Sequence, residues 1–352
     1  MDWLMRKQVA IIGHFGGNEE FLDGQTVKTK ILFDELSKNT DWKIQKIDTY
    51  WKNKRPFTLL LKTLLTLVVR KDIIVLLSGN GMKFYFPILS FFAKFWKVRV
   101  FHDVIGGNLD KYVAEQPRFR QYLNSFAINW VETEMLKKQL VKRGVLNCEV
   151  IPNFKRLPIL NERDIPNNFD KPIRFCTFSR VMKEKGIEAA IEAVEQINKK
   201  NGRIVCLLDI YGPIDVCYKE RFESVMQKVS DSVKYCGSVP YDQSVDVLKK
   251  YHALLFPTYW RGEGFPGTVV DAFSAGLPVV ASDWNSNSEL ITNDVNGLLY
   301  PSKQCSCLEE AIRRLIGWTS NSYLIKRRNC LKSALNFLPD VYIQRIVSYM
   351  QR

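Results

Sequence analysis

Residues 253–282 read ALLFPTYWRGEGFPGTVVDAFSAGLPVVAS, and their alternation decides the fold class. Residues 253–256 are an apolar run of strand length, 268–275 carry helical spacing, and 279–281 are apolar again after Gly276-Leu277-Pro278. A strand returned to a parallel neighbour through a helix is the repeating unit of an α/β sheet. Within this unit Glu263 stands in the loop before the helix, and Asp271 stands eight residues on, inside its first turns. A helix start presents unpaired backbone N–H groups and a positive dipole end, which suits a diphosphate. Glu263, an acceptor-only group, then takes hydrogen bonds from sugar hydroxyls, and Asp271 from a ribose hydroxyl pair. That division of labour fits a nucleotide-sugar.

The pattern continues outward from this stretch. Residues 173–178 read as a strand, 186–199 as an amphipathic helix, 204–211 and 233–235 as strands, and 241–250 as a helix. Between the first of these strands and its helix stands Phe178-Ser-Arg180-Val-Met-Lys183-Glu-Lys185-Gly186. Cations near a helix start are unfavourable unless an anion is present. Arg180 and Lys185 are therefore expected to converge on one anion, a planar fork and a point charge that offset a leaving diphosphate. Lys183 and Lys28 are expected to be solvated. With the charge neutralised this way, and with no Asp-x-Asp motif in the chain, neither a metal nor another cofactor is expected.

Toward the amino terminus, residues 8–12 form a strand that ends in Gly13-His14-Phe15-Gly16-Gly17, and a helical pattern follows over 26–37. Apolar runs at 73–77, 98–102, 129–131 and 150–151 are separated by helical segments. The organisation expected is two α/β domains in tandem, residues 1–165 and 166–335, joined through the proline-rich segment 155–172. A last helix within 336–352 is expected to pack back on the first domain. Tandem domains of this kind leave a cleft in which ligands bind at strand carboxyl ends.

Taken together, these segments resemble the retaining glycosyltransferases of family 4, and among them the bacterial members that assemble polysaccharides. The likeness rests on Glu263 to Asp271 with Gly264-Phe265-Pro266-Gly267-Thr268 between them, on Arg180 to Gly186, on Gly276 to Glu289, and on Asn296-Gly297-Leu298-Leu299. It covers most of residues 150–301. In the first half it is thinner, resting on Gly13 to Gly17, on Asp23 to Thr29, and on His102-Asp103-Val104-Ile105-Gly106-Gly107. The resemblance implies a GT-B fold, two Rossmann-like α/β domains facing a central cleft. It implies catalytic roles for Glu263, Arg180 and Lys185, a donor held by residues 264–268 and Asp271, and His102 beside the reacting sugar. It also implies that Gly16 and Gly17 let the backbone approach the diphosphate or the acceptor. The family motif has glutamate at both ends, so Asp271 shortens the reach by one methylene.

The activity implied is transfer of a hexosyl group from a nucleotide-diphosphate sugar, UDP ahead of GDP, with retention at the anomeric carbon. No carboxylate pair suits a double displacement, which favours front-face substitution. The acceptor implied is a lipid-linked oligosaccharide of O-antigen, capsule or exopolysaccharide. A sugar-nucleotide epimerase or a phosphorylase would share the fold. A non-catalytic nucleotide-binding module is the other alternative, and the missing full Gly-x-Gly-x-x-Gly argues against a nicotinamide cofactor.

The charge balance bears on partners. The 352 residues carry a net charge of +14, and residues 42–99 hold twelve basic side chains against two acidic ones, which accounts for +10 of it. A basic zone rich in Leu, Phe and Val suits the surface of an anionic membrane. No nucleic-acid-binding motif accompanies it, so nucleic acid is not expected as a partner. A spanning helix needs about 20 nearly uninterrupted apolar residues, and Lys62, Arg70, Lys71, Asp72, Lys83 and Lys94 divide the stretch. The amino terminus lacks the pattern of a secretory signal. A cytoplasmic protein held peripherally on the inner face of the membrane is expected. The eight cysteines are scattered and read as reduced core thiols, with no zinc site among them.

Overall fold

The computed structural model describes residues 6–19, 24–166, 169–302 and 305–352, with the side chain of Cys305 excluded. Asp23, part of the thinner likeness in the first half, lies outside the described residues. The chain divides into two units, one of Met1–Arg156 with Pro339–Arg352 and one of Leu157–Leu338.

The first unit runs β1 (Gln8–Gly13), α1 (Gly24–Asn39), β2 (Lys43–Asp48), α2 (Pro56–Val69), β3 (Asp72–Leu76), α3 (Gly79–Phe95) and β4 (Arg99–Asp103). It continues with α4 (Leu109–Glu115), α5 (Pro117–Ser125), β5 (Ile128–Val131), α6 (Glu134–Lys142) and β6 (Cys148–Val150). The six strands are parallel in the order β2-β1-β3-β4-β5-β6. A parallel sheet is covered on both faces, and β1 and β3 are accordingly apolar over residues 9–12 and 73–76. In β1, Ala10 and Ile12 join one core with Ile73 and Val75, while Val9 and Ile11 join the other with Ile74 and Leu76.

The second unit runs β7 (Ile173–Phe178), α7 (Ile187–Asn201), β8 (Cys206–Tyr211), α8 (Lys219–Met226), β9 (Val233–Tyr235), α9 (Ser244–Leu248) and β10 (Ala253–Phe256). Then follow α10 (Gly267–Ser274), β11 (Val279–Asp283), α11 (Asn287–Leu290), β12 (Gly297–Pro301), α12 (Cys305–Ile316) and α13 (Ser320–Leu335). Its parallel order is β12-β11-β10-β7-β8-β9. The chain winds outward from β7 through β8 to β9, then returns to the other side of β7 with β10. The switch point of the sheet is therefore the pair β7 and β10.

The last helix, α14 (Pro339–Gln351), belongs to the first unit. It lays Ile343, Ile346 and Met350 into the core that holds Val9, Leu32 and Leu36. Arg156 fastens its start, bonded to Glu35 at 2.7 Å and to Asp340 at 2.9 Å, and Arg99 donates to the Met350 carbonyl at 2.6 Å.

Two strands were not foreseen. β2 is the edge of its sheet and carries Lys43, Gln45 and Lys46, so it has no apolar run to announce it, and lysines at an edge hinder pairing with other chains. β12 follows an Asn-Gly pair that reads as a turn. The crossing into the second unit comes at the start of the expected linker, because Leu157 and Ile159 already pack on the second unit's core and Leu160 N donates to Ser274 O at 2.8 Å.

Candidate functional site

At the switch point, β7 and β10 pair with Ala253 opposite Phe175 and Leu254 opposite Cys176. The chain leaves their carboxyl ends as the two segments that stood out in the sequence. In an open α/β sheet this is where ligands bind. After β7, Lys183–Lys185 form a single 3-10 turn closed by Gly186, whose φ is +71°. A Cβ on Gly186 would lie 2.2 Å from the Pro257 carbonyl oxygen, so glycine is what lets the two loops touch. The contact is fastened by Tyr259 N donating to Glu184 O at 2.8 Å.

Inside this junction Lys185 Nζ lies 2.5 Å from Glu263 Oε2, and Thr258 Oγ1 donates to the same oxygen at 3.0 Å. Lys185 and Glu263 are 9% and 7% exposed. The ammonium also stands 5.0 Å from the ring centre of Trp260 and 5.5 Å from that of Phe256. A buried ammonium needs such neighbours, a carboxylate and aromatic faces, to offset its lost hydration. Both bonds to the Glu263 carboxylate fall on Oε2. Oε1 is left to accept from a ligand.

Sequence reasoning assigned Lys185 to phosphate and Glu263 to sugar as separate groups. The structure couples them as one ion pair. It also does not gather Arg180 with Lys185: the Arg180 side chain is 54% exposed and its guanidinium lies 3.9 Å from the Asp215 carboxylate. The two cations share one loop but pair with acids of different loops, Arg180 with Asp215 after β8 and Lys185 with Glu263 after β10. Lys183 is exposed, as a solvated residue would be.

Helix α10 starts just after this junction. Its N-cap is Pro266, which has no side-chain hydrogen bond to offer the helix start. Thr268 Oγ1, in the first turn, is buried without a hydrogen-bond partner. Asp271 is buried one turn farther on. Phe265 packs its ring on Phe337, centres 5.3 Å apart. At the other end, the buried Arg327 donates to Gly276 O at 2.8 Å and Ala275 O at 3.3 Å, satisfying carbonyls that the helix terminus leaves open.

A supporting layer comes from the end of β11, inside the segment Gly276 to Glu289 that carried part of the resemblance. Trp284 Nε1 donates to Trp260 O at 2.9 Å, Asn285 Nδ2 to Glu263 O at 3.0 Å, and Ser286 Oγ to Gly264 O at 2.6 Å. These bonds hold the loop backbone around Glu263 from behind. The motif marked the segment but not these three side chains or the bonds that they make.

The first unit carries the other expected residues. Gly16 and Gly17 have φ of +86° and +59°. The turn is held by Asp48, whose carboxylate accepts from Phe15 N at 2.9 Å and Gly17 N at 2.8 Å. A Cβ on Gly17 would meet the Tyr50 ring at 2.6 Å, so close packing on this side chain accounts for the glycine.

His102 lies at the carboxyl end of β4 in the first unit. It is fully buried, with its ring edge-on to Phe86 and Nδ1 3.0 Å from Asn129 Oδ1. Burial, reinforced by the charge of Lys28, pushes the imidazole down to about 4, so it is neutral near pH 7. By strand alternation His102 and Asp103 project to opposite faces of β4. Asp103 is the one that meets a charged partner. Lys28, expected in solvent, is buried 2.7 Å from Asp103 Oδ1 and 2.9 Å from Glu132 Oε1, and it also donates to Val104 O at 2.8 Å. Burial alone would depress the ammonium, but the two carboxylates outweigh it and raise it. Burial raises the Asp103 carboxyl to about 6. Among the described residues, no three His, Cys, Asp or Glu side chains gather as a metal-binding group.

Comparison with known proteins bears on this geometry. A family model described as Glycosyl transferases group 1 matches residues 159–334, the part that contains the junction. The amylovoran biosynthesis glycosyltransferase AmsK of Erwinia amylovora is 25% identical over 227 residues, 62% of this chain and 54% of that one. The chain spans roughly half to three-fifths of the length of the curated relatives it matches first, 54% and 61%. Among solved structures, sucrose-phosphate synthase from Thermosynechococcus elongatus superposes with a TM-score of 0.75 at 16% identity, covering 98% of this chain and 99% of that one. The Anabaena protein HepE, in complex with UDP and glucose, gives 0.73 at 14% identity, covering 98% and 100%. The two Rossmann-like units thus have the GT-B fold of these neighbours.

Proposed function

Because the chain belongs to the Glycosyl transferases group 1 family, we propose that it transfers a hexosyl group from a nucleotide-diphosphate sugar to a hydroxyl of a lipid-linked oligosaccharide, with retention and without a metal. The observation that carries the reading is the buried Lys185–Glu263 pair beside the start of α10 at the switch point of the second sheet. A helix start and an ammonium together suit a diphosphate, and the open Oε1 of Glu263 suits the hydroxyl of an attached sugar.

In this reading the diphosphate is the leaving group, and Lys185 with the N–H groups at the start of α10 stabilises its growing charge. Arg180, on a flexible exposed side chain, turns from Asp215 to the same oxygens. Thr258 and the aromatic faces of Trp260 and Phe256 keep the ammonium in place. The leaving oxygen itself helps take the proton of the incoming hydroxyl on the same face of the sugar, which gives retention. UDP is favoured over GDP, as the UDP-bound neighbour supports. The transfer then belongs to polysaccharide assembly at the inner face of the cytoplasmic membrane, on an O-antigen, capsule or exopolysaccharide intermediate; of this, the amylovoran-biosynthesis relative supports the assembly role.

The test is a melting-temperature screen with UDP, GDP and their sugars, since a ligand of the native state raises the melting point in proportion to affinity. It is followed by NMR of the anomeric proton in the product, with and without chelator. A UDP-dependent rise and a retained anomer are expected. No response to any nucleoside diphosphate, or an inverted product, overturns the reading.

A further inference from the structure

We infer that the outer face of α2 and α3 docks on an anionic phospholipid bilayer, and that the cavity between the amino-terminal halves of these helices takes one lipid chain. The inference deepens the membrane-borne acceptor proposed above. Its ground is that α2 is built inside out. Phe57, Leu61, Leu65, Val68 and Val69 are exposed, Phe57 at 86% and Val69 at 71%, whereas two of its four buried positions are Thr63 and Thr66. In water the arrangement should be the reverse. The two threonines are satisfied within the helix, donating to Leu59 O at 2.8 Å and Lys62 O at 2.7 Å, so the inner face holds without being the more apolar one.

α3 continues the same surface. Phe84, Phe91, Phe95 and Trp96 are exposed, and the ring of Phe91 lies 5.0 Å from that of Phe95 and 5.5 Å from that of Trp96. Neither helix contains an acidic residue. Lys62, Lys83, Lys94 and Lys97 are interleaved with the apolar positions, and Lys52, Lys54 and Arg55 precede α2, all of them exposed. This interleaving selects the occupant. The buried centre of a protein interface is depleted in lysine. At a bilayer, lysine stems lie along the apolar surface while their ammonium groups reach the phosphates. Between the helices lies a cavity of about 470 Å³ whose walls include Pro56, Leu59, Leu60, Phe84 and Tyr85, with Lys52 beside them. A largely apolar pocket with Asn53, Asn80 and a lysine on its wall matches a hydrocarbon chain below a phosphate.

The experiment is co-sedimentation of the whole protein with vesicles of phosphatidylglycerol and phosphatidylcholine, or of phosphatidylcholine alone. Wild type should pellet with the anionic vesicles and stay in solution with the neutral ones. Joint Leu61→Glu and Leu65→Glu should lower the bound fraction by about tenfold, with circular dichroism and the UDP-induced melting shift unchanged. Wild type remaining in solution with anionic vesicles, or the double variant pelleting like wild type, overturns the docking face. For the cavity, monomeric lysophosphatidylglycerol should titrate wild type saturably and Leu60→Trp not at all, and equal titration of both overturns the chain seat. The nucleotide response is read separately, so its loss alongside intact vesicle binding counts against the transfer reading and not against this one.

Discussion

Lys185 and Glu263, 78 residues apart in the chain, meet in one buried hydrogen bond at the junction of two loops. The pair makes stability and chemistry separable. Glu263→Gln leaves the ammonium buried without its counter-charge and should cost about 3 kcal/mol. Joint Lys185→Met and Glu263→Leu removes both charges and should recover most of that stability, yet transfer should be lost in every one of these variants. Lys185→Ala should lower turnover by about 10²- to 10³-fold, and Lys183→Ala, on an exposed side chain, should leave it alone. Chemical denaturation beside a transfer assay checks both halves.

Thr268 gives a sharper probe of the helix start. Its hydroxyl is buried and unbonded, so Thr268→Val should hold or raise the melting temperature. If a diphosphate sits at the start of α10, the same change should weaken UDP binding by about 1 kcal/mol, the value of one hydrogen bond. Calorimetric titration with UDP measures it.

Gly186 and Gly202 share a left-handed backbone, with φ of +71° and +63°. They differ in what surrounds them: nothing lies within 4 Å of a Cβ on Gly202, whereas the Pro257 carbonyl would be 2.2 Å from one on Gly186. Gly202→Ala should therefore cost only the backbone term, about 1 kcal/mol. Gly186→Ala should cost several times more and should abolish the nucleotide response, because it pushes the two loops apart. Urea unfolding of the two variants makes the comparison.

The depressed imidazole of His102 carries a pH signature. Its folded value of about 4 lies below the ordinary 6.5, so its contribution is fully present above pH 6.5 and is lost as pH falls toward 4. The loss is at most on the order of 3 kcal/mol. The raised carboxyl of Asp103 acts in the opposite sense, contributing below pH 4 and losing that contribution as pH rises through about 6. His102→Gln removes only the first term. Its stability, relative to wild type, should improve steadily as pH is lowered from 6.5 to 4, measured by denaturation at each pH.

Much of the second unit was legible because its strands carry apolar runs, as β10 does, and its loops carry glycines at strict positions. The run 253–256 coincides with β10, and the helix expected over 268–275 is α10 shifted by one residue. What stayed hidden depended on contacts distant in sequence. Nothing local to Glu263 says that its partner is Lys185, or that Asn285 and Ser286 hold its loop. The surroundings of His102 were hidden because a motif fixes a residue's position along a strand, while a shift of one residue decides which face it projects to. Lys28 was misjudged because a lysine in an amphipathic pattern normally reaches water, and here two acids on neighbouring strands bury it.

The return of α14 to the first unit has a consequence for biosynthesis. Domains generally mature in the order in which the ribosome delivers them. Here the sheet made first lacks Ile343, Ile346 and Met350, which complete its core, until the whole second unit has been translated. During that interval the nascent first unit carries an open apolar trough over α1, the kind of surface that chaperones cover. The second unit, whose cores draw only on its own residues, is free to finish ahead of the one that precedes it.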